Sequence, residues 1–181
     1  MSSANPVPSS IAGYRTKLLT FADLPALQDL LEKCADYMEL VYGSPTSSNE
    51  AEMLVASLPP GKSLDDKYII GIFDKTMQMV GFVDAVKDYP HAGDWWVGLL
   101  LLTPKSRGRG IGSQLYRAFE SWAAGQGAQR VYLGVIEANP RALAFWERLG
   151  FDRVEKRGSR DEIVAHLVWV MRRLIDLPKP A

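Results

Sequence analysis

The run Asp94–Gly127, DWWVGLLLLTPKSRGRGIGSQLYRAFESWAAGQG, decides how the chain is read. Its first part, Trp95 to Leu102, is apolar, too short to span a membrane and long enough for a buried strand. Thr103-Pro104 stops that strand, and Arg107-Gly108-Arg109-Gly110-Ile111-Gly112 follows. Ile111, Leu115, Phe119 and Trp122 then recur at helical spacing, and Gly125 and Gly127 close the predicted helix. The glycines therefore stand at a strand-to-helix turn.

That placement has a chemical meaning. The first amides of a helix lack internal partners, and the aligned peptide dipoles put partial positive charge there. Glycine lets a ligand approach the backbone closely, and Arg107 and Arg109 add formal charge. An anion site for a phosphate or pyrophosphate is expected at Arg107–Ser113. A P-loop would need Lys and then Ser or Thr after the last glycine, whereas Ser113-Gln114 follow Gly112. The dinucleotide pattern G-x-G-x-x-G is nearer: Gly108 and Gly110 match, Ser113 stands in place of the third glycine, and a second strand ends near Glu137. A nicotinamide or flavin dinucleotide binder thus stays open as a rival.

Arg107-x-x-Gly110-x-Gly112, after Leu-Thr-Pro and before an amphipathic helix, resembles the acetyl-CoA-binding motif of the GNAT superfamily of N-acetyltransferases. A second block, Asn139-Pro-Arg-Ala142-Leu-Ala-Phe145-Trp146-Glu-Arg-Leu149-Gly150-Phe151, is similar to that family's Asn-x-x-Ala-x-x-Phe-Tyr-Glu-Lys-x-Gly-Phe run. The two blocks have the family's order and spacing and span about a third of the chain. The resemblance implies an α/β (α+β) fold with a mixed, mostly antiparallel central sheet. In that fold the sheet is splayed between the family's fourth and fifth strands and flanked by helices.

Composition sets outer bounds. One domain is expected for 181 residues, with a lead-in over 1–10 and a tail over 176–181. Lys plus Arg equals Asp plus Glu, 21 each, which argues against a nucleic-acid surface working by bulk charge. A single cysteine, Cys34, excludes an internal disulfide and a cysteine-based metal set, and two histidines are too few for a zinc site. The first eleven residues lack the basic start and apolar core of a signal peptide, and no apolar run reaches membrane length, so no membrane partner and a cytoplasmic location are expected.

Around the central run the periodicities predict a strand over Tyr14–Leu19, a helix over Leu24–Val41 and a short helix over Glu50–Leu58 capped by Asn49. A hairpin is predicted from Lys67–Phe73 and Met77–Val86, then a strand over Arg130–Ile136 and a helix from the Asn139 cap to Leu149. Phe151–Lys156 and Ile163–Ile175 read as a closing strand pair. The order β-α-α-β-β-β-α-β-α-β-β puts the glycine turn past the middle of the chain. Too little follows for a doubly wound dinucleotide domain.

The resemblance implies acetyl transfer from acetyl-CoA, with no metal, to a primary amine on a small molecule or peptide, and a possible homodimer. It assigns the pyrophosphate to the amides of Arg107, Gly108, Arg109, Gly110, Ile111, Gly112 and Ser113. Pantetheine falls to the backbone of Leu100 and Leu102, and Asn139 stands at a gap between Leu100–Leu102 and Tyr132–Val135. The attacking amine must be neutral, so a base is needed. Asp94, Asp84, Glu137 and Tyr132 are candidates, and Asp94, at the head of the central strand, is preferred. The family's Tyr, which protonates the leaving thiolate, is replaced by Trp146, whose indole N–H hydrogen-bonds but keeps its proton. Either the thiolate leaves unaided, or Tyr132 or Tyr116 serves, or catalysis is weak; a non-catalytic acyl-CoA-binding module of the same fold is the second reading, with Trp146 packing against CoA or the core. Tyr37, Tyr42, Tyr89, His91, Trp95 and Trp96 lie in the regions that bind the acceptor in this family.

Overall fold

A computed structural model describes residues 7–8, 10–11, 13–158 and 166–175. The elements are β1 (Ser10–Ile11), β2 (Tyr14–Leu18), α1 (Leu24–Lys33), α2 (Ala35–Tyr42), α3 (Glu50–Ala56), β3 (Lys67–Phe73), β4 (Met79–Lys87), β5 (Asp94–Leu102), α4 (Ile111–Gly125), β6 (Arg130–Ile136), α5 (Pro140–Arg148), β7 (Asp152–Gly158) and β8 (Leu167–Leu174). Among the described residues, eight strands form one sheet in the order β1-β2-β3-β4-β5-β6-β8-β7. Every pairing is antiparallel except β5 with β6, which α4 joins as a crossover. The mixed, mostly antiparallel sheet flanked by helices is thus present.

Several local expectations change. The helix over Leu24–Val41 breaks at Cys34 (φ −102°, ψ 30°), giving α1 and α2. Asn49 precedes α3 without a side-chain cap; Gln28 Oε1 accepts the Ala51 amide instead, at 3.0 Å. β4 starts at Met79 because Asp74 Oδ1 gathers the amides of Thr76 and Gln78 and holds residues 74–78 as a turn. Ser10, at the end of the expected lead-in, pairs with Arg15. Residues 163–165, in the expected last strand, lie outside the described residues.

Two cores sandwich the sheet. On one face α4 and α5 bury Trp95, Leu115, Tyr116, Phe119, Trp122 and Trp146. Trp95 meets Trp122 and Phe119 edge-on at 5.5 and 5.8 Å between centroids. Such pairs add about 0.5–1.5 kcal/mol each beyond area burial. On the other face α1 and α2 bury Leu27, Leu30, Leu31, Cys34 and Met38 against Phe82 and Leu101. Both faces being filled, β5 is fixed in the middle of the sheet, and only its edges are left to vary.

Candidate functional site

The glycine turn has the geometry that an anion needs. Gly108 and Gly110 sit at φ 74° and 76°, where a side chain is strained, and Gly110 is the residue before α4. The first helical bond there is Gln114 N–H to the Gly110 carbonyl, 3.2 Å. The amides of Ile111, Gly112 and Ser113 therefore precede the helix's own ladder. Gly108, Gly110, Gly112 and Ser113 border a groove of about 710 Å³ that is also lined by Leu100, Asn139, Arg141, Trp146 and Arg148.

Arg107 is spoken for. Its Nε donates to the Leu102 carbonyl at 2.9 Å, and both terminal nitrogens bond the Asp36 carboxylate. That contact holds Asp36 below the usual carboxylate range and raises Arg107. Arg107 thus ties α2 to the turn rather than offering a free cation. The Leu102 carbonyl, which also accepts from Cys34 Sγ at 3.5 Å, is committed likewise and not open to a ligand amide. Arg109 is exposed. Besides the Arg107–Asp36 pair, Arg141 and Arg148 of α5 line the groove; their seven-residue spacing on a helix is the only trace of this in the sequence.

β5 and β6 pair only from Asp94 opposite Arg130 to Val97 opposite Leu133. From Gly98 and Gly134 onward they part. The gap thus starts one residue beyond Leu133, and Tyr132, expected beside it, lies in the paired part. A cavity of about 100 Å³ fills the gap, bordered by Gly98, Leu100, Gly134, Asn139, Trp146 and Tyr37. Asn139 Oδ1 caps α5 by accepting the Ala142 amide at 3.0 Å, which leaves the side-chain N–H groups for other partners.

On the other edge of β5, Asp84 pairs with Leu99 and Ala85 with Val97, so Gly98 is the extra residue of a bulge. A third cavity, of about 550 Å³, opens there on the α1–α3 side. Tyr37, Tyr42, Glu50, Met53, Asp84 and Gly98 are among its walls. Gly98 and Tyr37 border both this cavity and the gap, so the two spaces meet at the bulge. Burial pushes the Tyr37 phenol up, which keeps it a neutral O–H donor.

The two side chains expected to be catalytic are not at this junction. Asp94 is fully buried at the paired head of β5, bonded to Arg130 Nε and, at 3.1 Å, to His91 Nδ1. It is a structural anchor, and it lines none of the three cavities. Tyr132 lies flat against Trp96, with centroids 6.4 Å apart and 3° between planes, and lines none of them either. Tyr116 is sealed in the core, where it donates to Glu120 Oε1 at 2.8 Å. Trp146 packs edge-on against Tyr116 at 5.3 Å and forms a wall of both gap and groove. Of the six expected acceptor residues, Tyr37 and Tyr42 reach the third cavity; Trp95 is core, and Trp96 meets Tyr89 edge-on and lies parallel to Tyr132.

Comparison with known proteins gives a consistent picture. The family model described as the acetyltransferase (GNAT) family matches residues 25–151. An uncharacterized N-acetyltransferase, YobR of Bacillus subtilis (strain 168), is 24% identical over 126 residues, covering 69% of this chain and 47% of that protein. The chain thus spans about half the length of that relative. Among solved structures, spermidine N-acetyltransferase from Vibrio cholerae, in complex with CoA and spermine, superposes with a TM-score of 0.71 at 18% identity, covering 91% of this chain and 96% of that one. An acetyltransferase from Thermus thermophilus is 28% identical with a TM-score of 0.62, covering 86% and 95%.

Proposed function

Because the chain belongs to the acetyltransferase (GNAT) family, we propose that it is an acetyl-CoA-dependent N-acetyltransferase. It works by direct attack of a primary amine on the thioester in a ternary complex. The observation that carries this reading is the opening of β5 from β6 at Gly98, a gap that shares Leu100, Asn139 and Trp146 with the groove at the glycine turn. The groove is within the size range of cofactor clefts, and its donors suit a diphosphate. When bound, acetyl-CoA supplies an activated acyl group and a thiolate leaving group.

The chain's own residues then have distinct tasks. The amides of Ile111, Gly112 and Ser113 bind the pyrophosphate, and Arg141 and Arg148 add charge along the groove. The free edge of Leu100 pairs with the pantetheine amides as a strand would, and Asn139 donates into the same gap. Trp146 walls the gap and excludes water. Tyr37 donates a hydrogen bond to the departing sulfur from the far side. The acceptor, a small molecule or peptide amine, enters through the cavity on the α1–α3 side, whose lining among the described residues holds Glu50 and Asp84 and no Lys or Arg. That lining favours acceptors without a carboxylate near the amine.

Thiol release from acetyl-CoA over an amine panel, together with calorimetric CoA binding, tests this. Wild type should bind CoA and release thiol with at least one amine. Gly110→Asp, which puts a carboxylate against the phosphates in a left-handed backbone, should weaken CoA binding at least about a hundredfold, the scale of an unpaired buried charge. Unchanged affinity would refute the phosphate assignment. Tight CoA binding with no thiol release from any amine would favour the non-catalytic module, and saturation by NADH without any response to CoA would favour the dinucleotide binder.

A further inference from the structure

Among the described residues, Asp84 is the carboxylate of the acceptor cavity that stands against Gly98, the residue this cavity shares with the gap. It lies on β4, is 6% exposed, and points its Oδ2 at the bulge: a Cβ built on Gly98 would stand 2.8 Å from that oxygen. Glycine at 98 leaves room for that oxygen, which any larger side chain would crowd. Asp84 Oδ1 faces Lys67 Nζ on β3 at 3.3 Å, an ion pair without hydrogen-bond alignment. Lys67 is itself fixed, donating to the Leu54 and Ser57 carbonyls at the end of α3, at 2.7 and 2.8 Å. A buried acid with one oxygen held and the other aimed at an aperture is costly to keep for stability alone.

We propose that Asp84 is the general base of the reaction, with Gly98 as its aperture and Lys67 as its positioning residue. This rests on the acetyltransferase reading. Asp84 Oδ2 takes one proton from the incoming ammonium, which frees the nitrogen lone pair to form the N–C bond at the thioester carbonyl. As the C–S bond breaks, the nitrogen loses a second proton and the departing sulfur gains one. Asp84 returns its own proton to water, so the products are the amide, the free thiol and one proton. Burial pushes the Asp84 carboxyl up to about 6, with Lys67 pulling the other way. That places it near the range a base at neutral pH requires. Among the described residues, the other titratable groups in this cavity's wall are Tyr37 and Tyr42 of α2 and Glu50 of α3, and β5 contributes none.

The test is the pH profile of kcat/KM from pH 5 to 9. A base must be ionised, so wild type should lose activity as pH falls through about 6. Asp84→Asn should lower kcat about 10²–10³-fold, remove that acid limb and leave the acetyl-CoA KM within about twofold. Lys67→Met should move the limb to higher pH, because the cation that favours the carboxylate is gone. Gly98→Ala should reduce kcat by crowding Oδ2, in a chain whose charges are all intact. An Asp84→Asn enzyme that keeps both rate and limb would overturn the assignment while leaving the acetyltransferase reading in place. A Lys67→Met enzyme with an unmoved limb would do the same even if Asp84→Asn fails to fold. A wild type that neither binds CoA nor releases thiol would overturn both.

Discussion

The two halves of β5 make opposite use of one strand. From Trp95 to Val97 it is paired on both sides, and around Asp94 its side chains are locked: Asp94 in an ion pair with Arg130, Trp95 in the aromatic core, Trp96 against Tyr132. From Gly98 to Leu102 it keeps only β4, and its other edge faces the gap. The change happens at a bulged glycine. A sheet can carry an opening next to its core only if the adjoining segment over-determines the strand's position. The closed half is the support and the open half is the site, so buried charge in the first should govern stability and buried charge beside the second should govern rate.

Substitution of Asp94 is the sharpest way to break that division. Asp94→Asn should cost about 2 kcal/mol of stability, less than a fully buried pair because Arg130 keeps access to water. That corresponds to a fall in Tm of roughly 5 °C by calorimetry, with kcat and both KM values within about twofold. A collapse of kcat with Tm unchanged would return Asp94 to the catalytic role that its place in the sequence suggested. A smaller effect is expected on the open side. Tyr37→Phe should lower kcat about threefold to tenfold, the scale of one neutral hydrogen bond, and leave Tm nearly unchanged. No change in kcat would take Tyr37 out of the step that releases the thiol. Smallest of all, Trp146→Tyr should leave kcat within about threefold, because the ring serves as a wall and an edge-on partner of Tyr116. A large loss there would mean that the indole contacts the coenzyme specifically.

The same division explains what the sequence could and could not disclose. β3 and β6 were readable to the residue because their apolar runs are bounded by polar neighbours. The turn at Arg107–Gly112 was readable because its chemistry lies within six consecutive residues. The break at Cys34 was not, since the apolar spacing of three and four runs straight through it. Asp94 was misplaced because its partner, Arg130, is 36 residues away and meets it only through the parallel register of β5 with β6. Arg107 looked like a phosphate ligand until α2 brought Asp36 to it across 71 residues. Asp84 stood among several carboxylates in the sequence and was distinguished only by its register opposite the bulge at Gly98. For Asp94, Arg107 and Asp84 the missing information was cross-strand or between layers, where local spacing is silent.

A crystal structure of the protein with CoA tests the account most directly. The diphosphate should lie against the amides of Ile111, Gly112 and Ser113, with pantetheine running along Leu100 and the thiol ending at Gly98. Coenzyme bound anywhere else, or a closed edge between Gly98 and Gly134 in the complex, would contradict it.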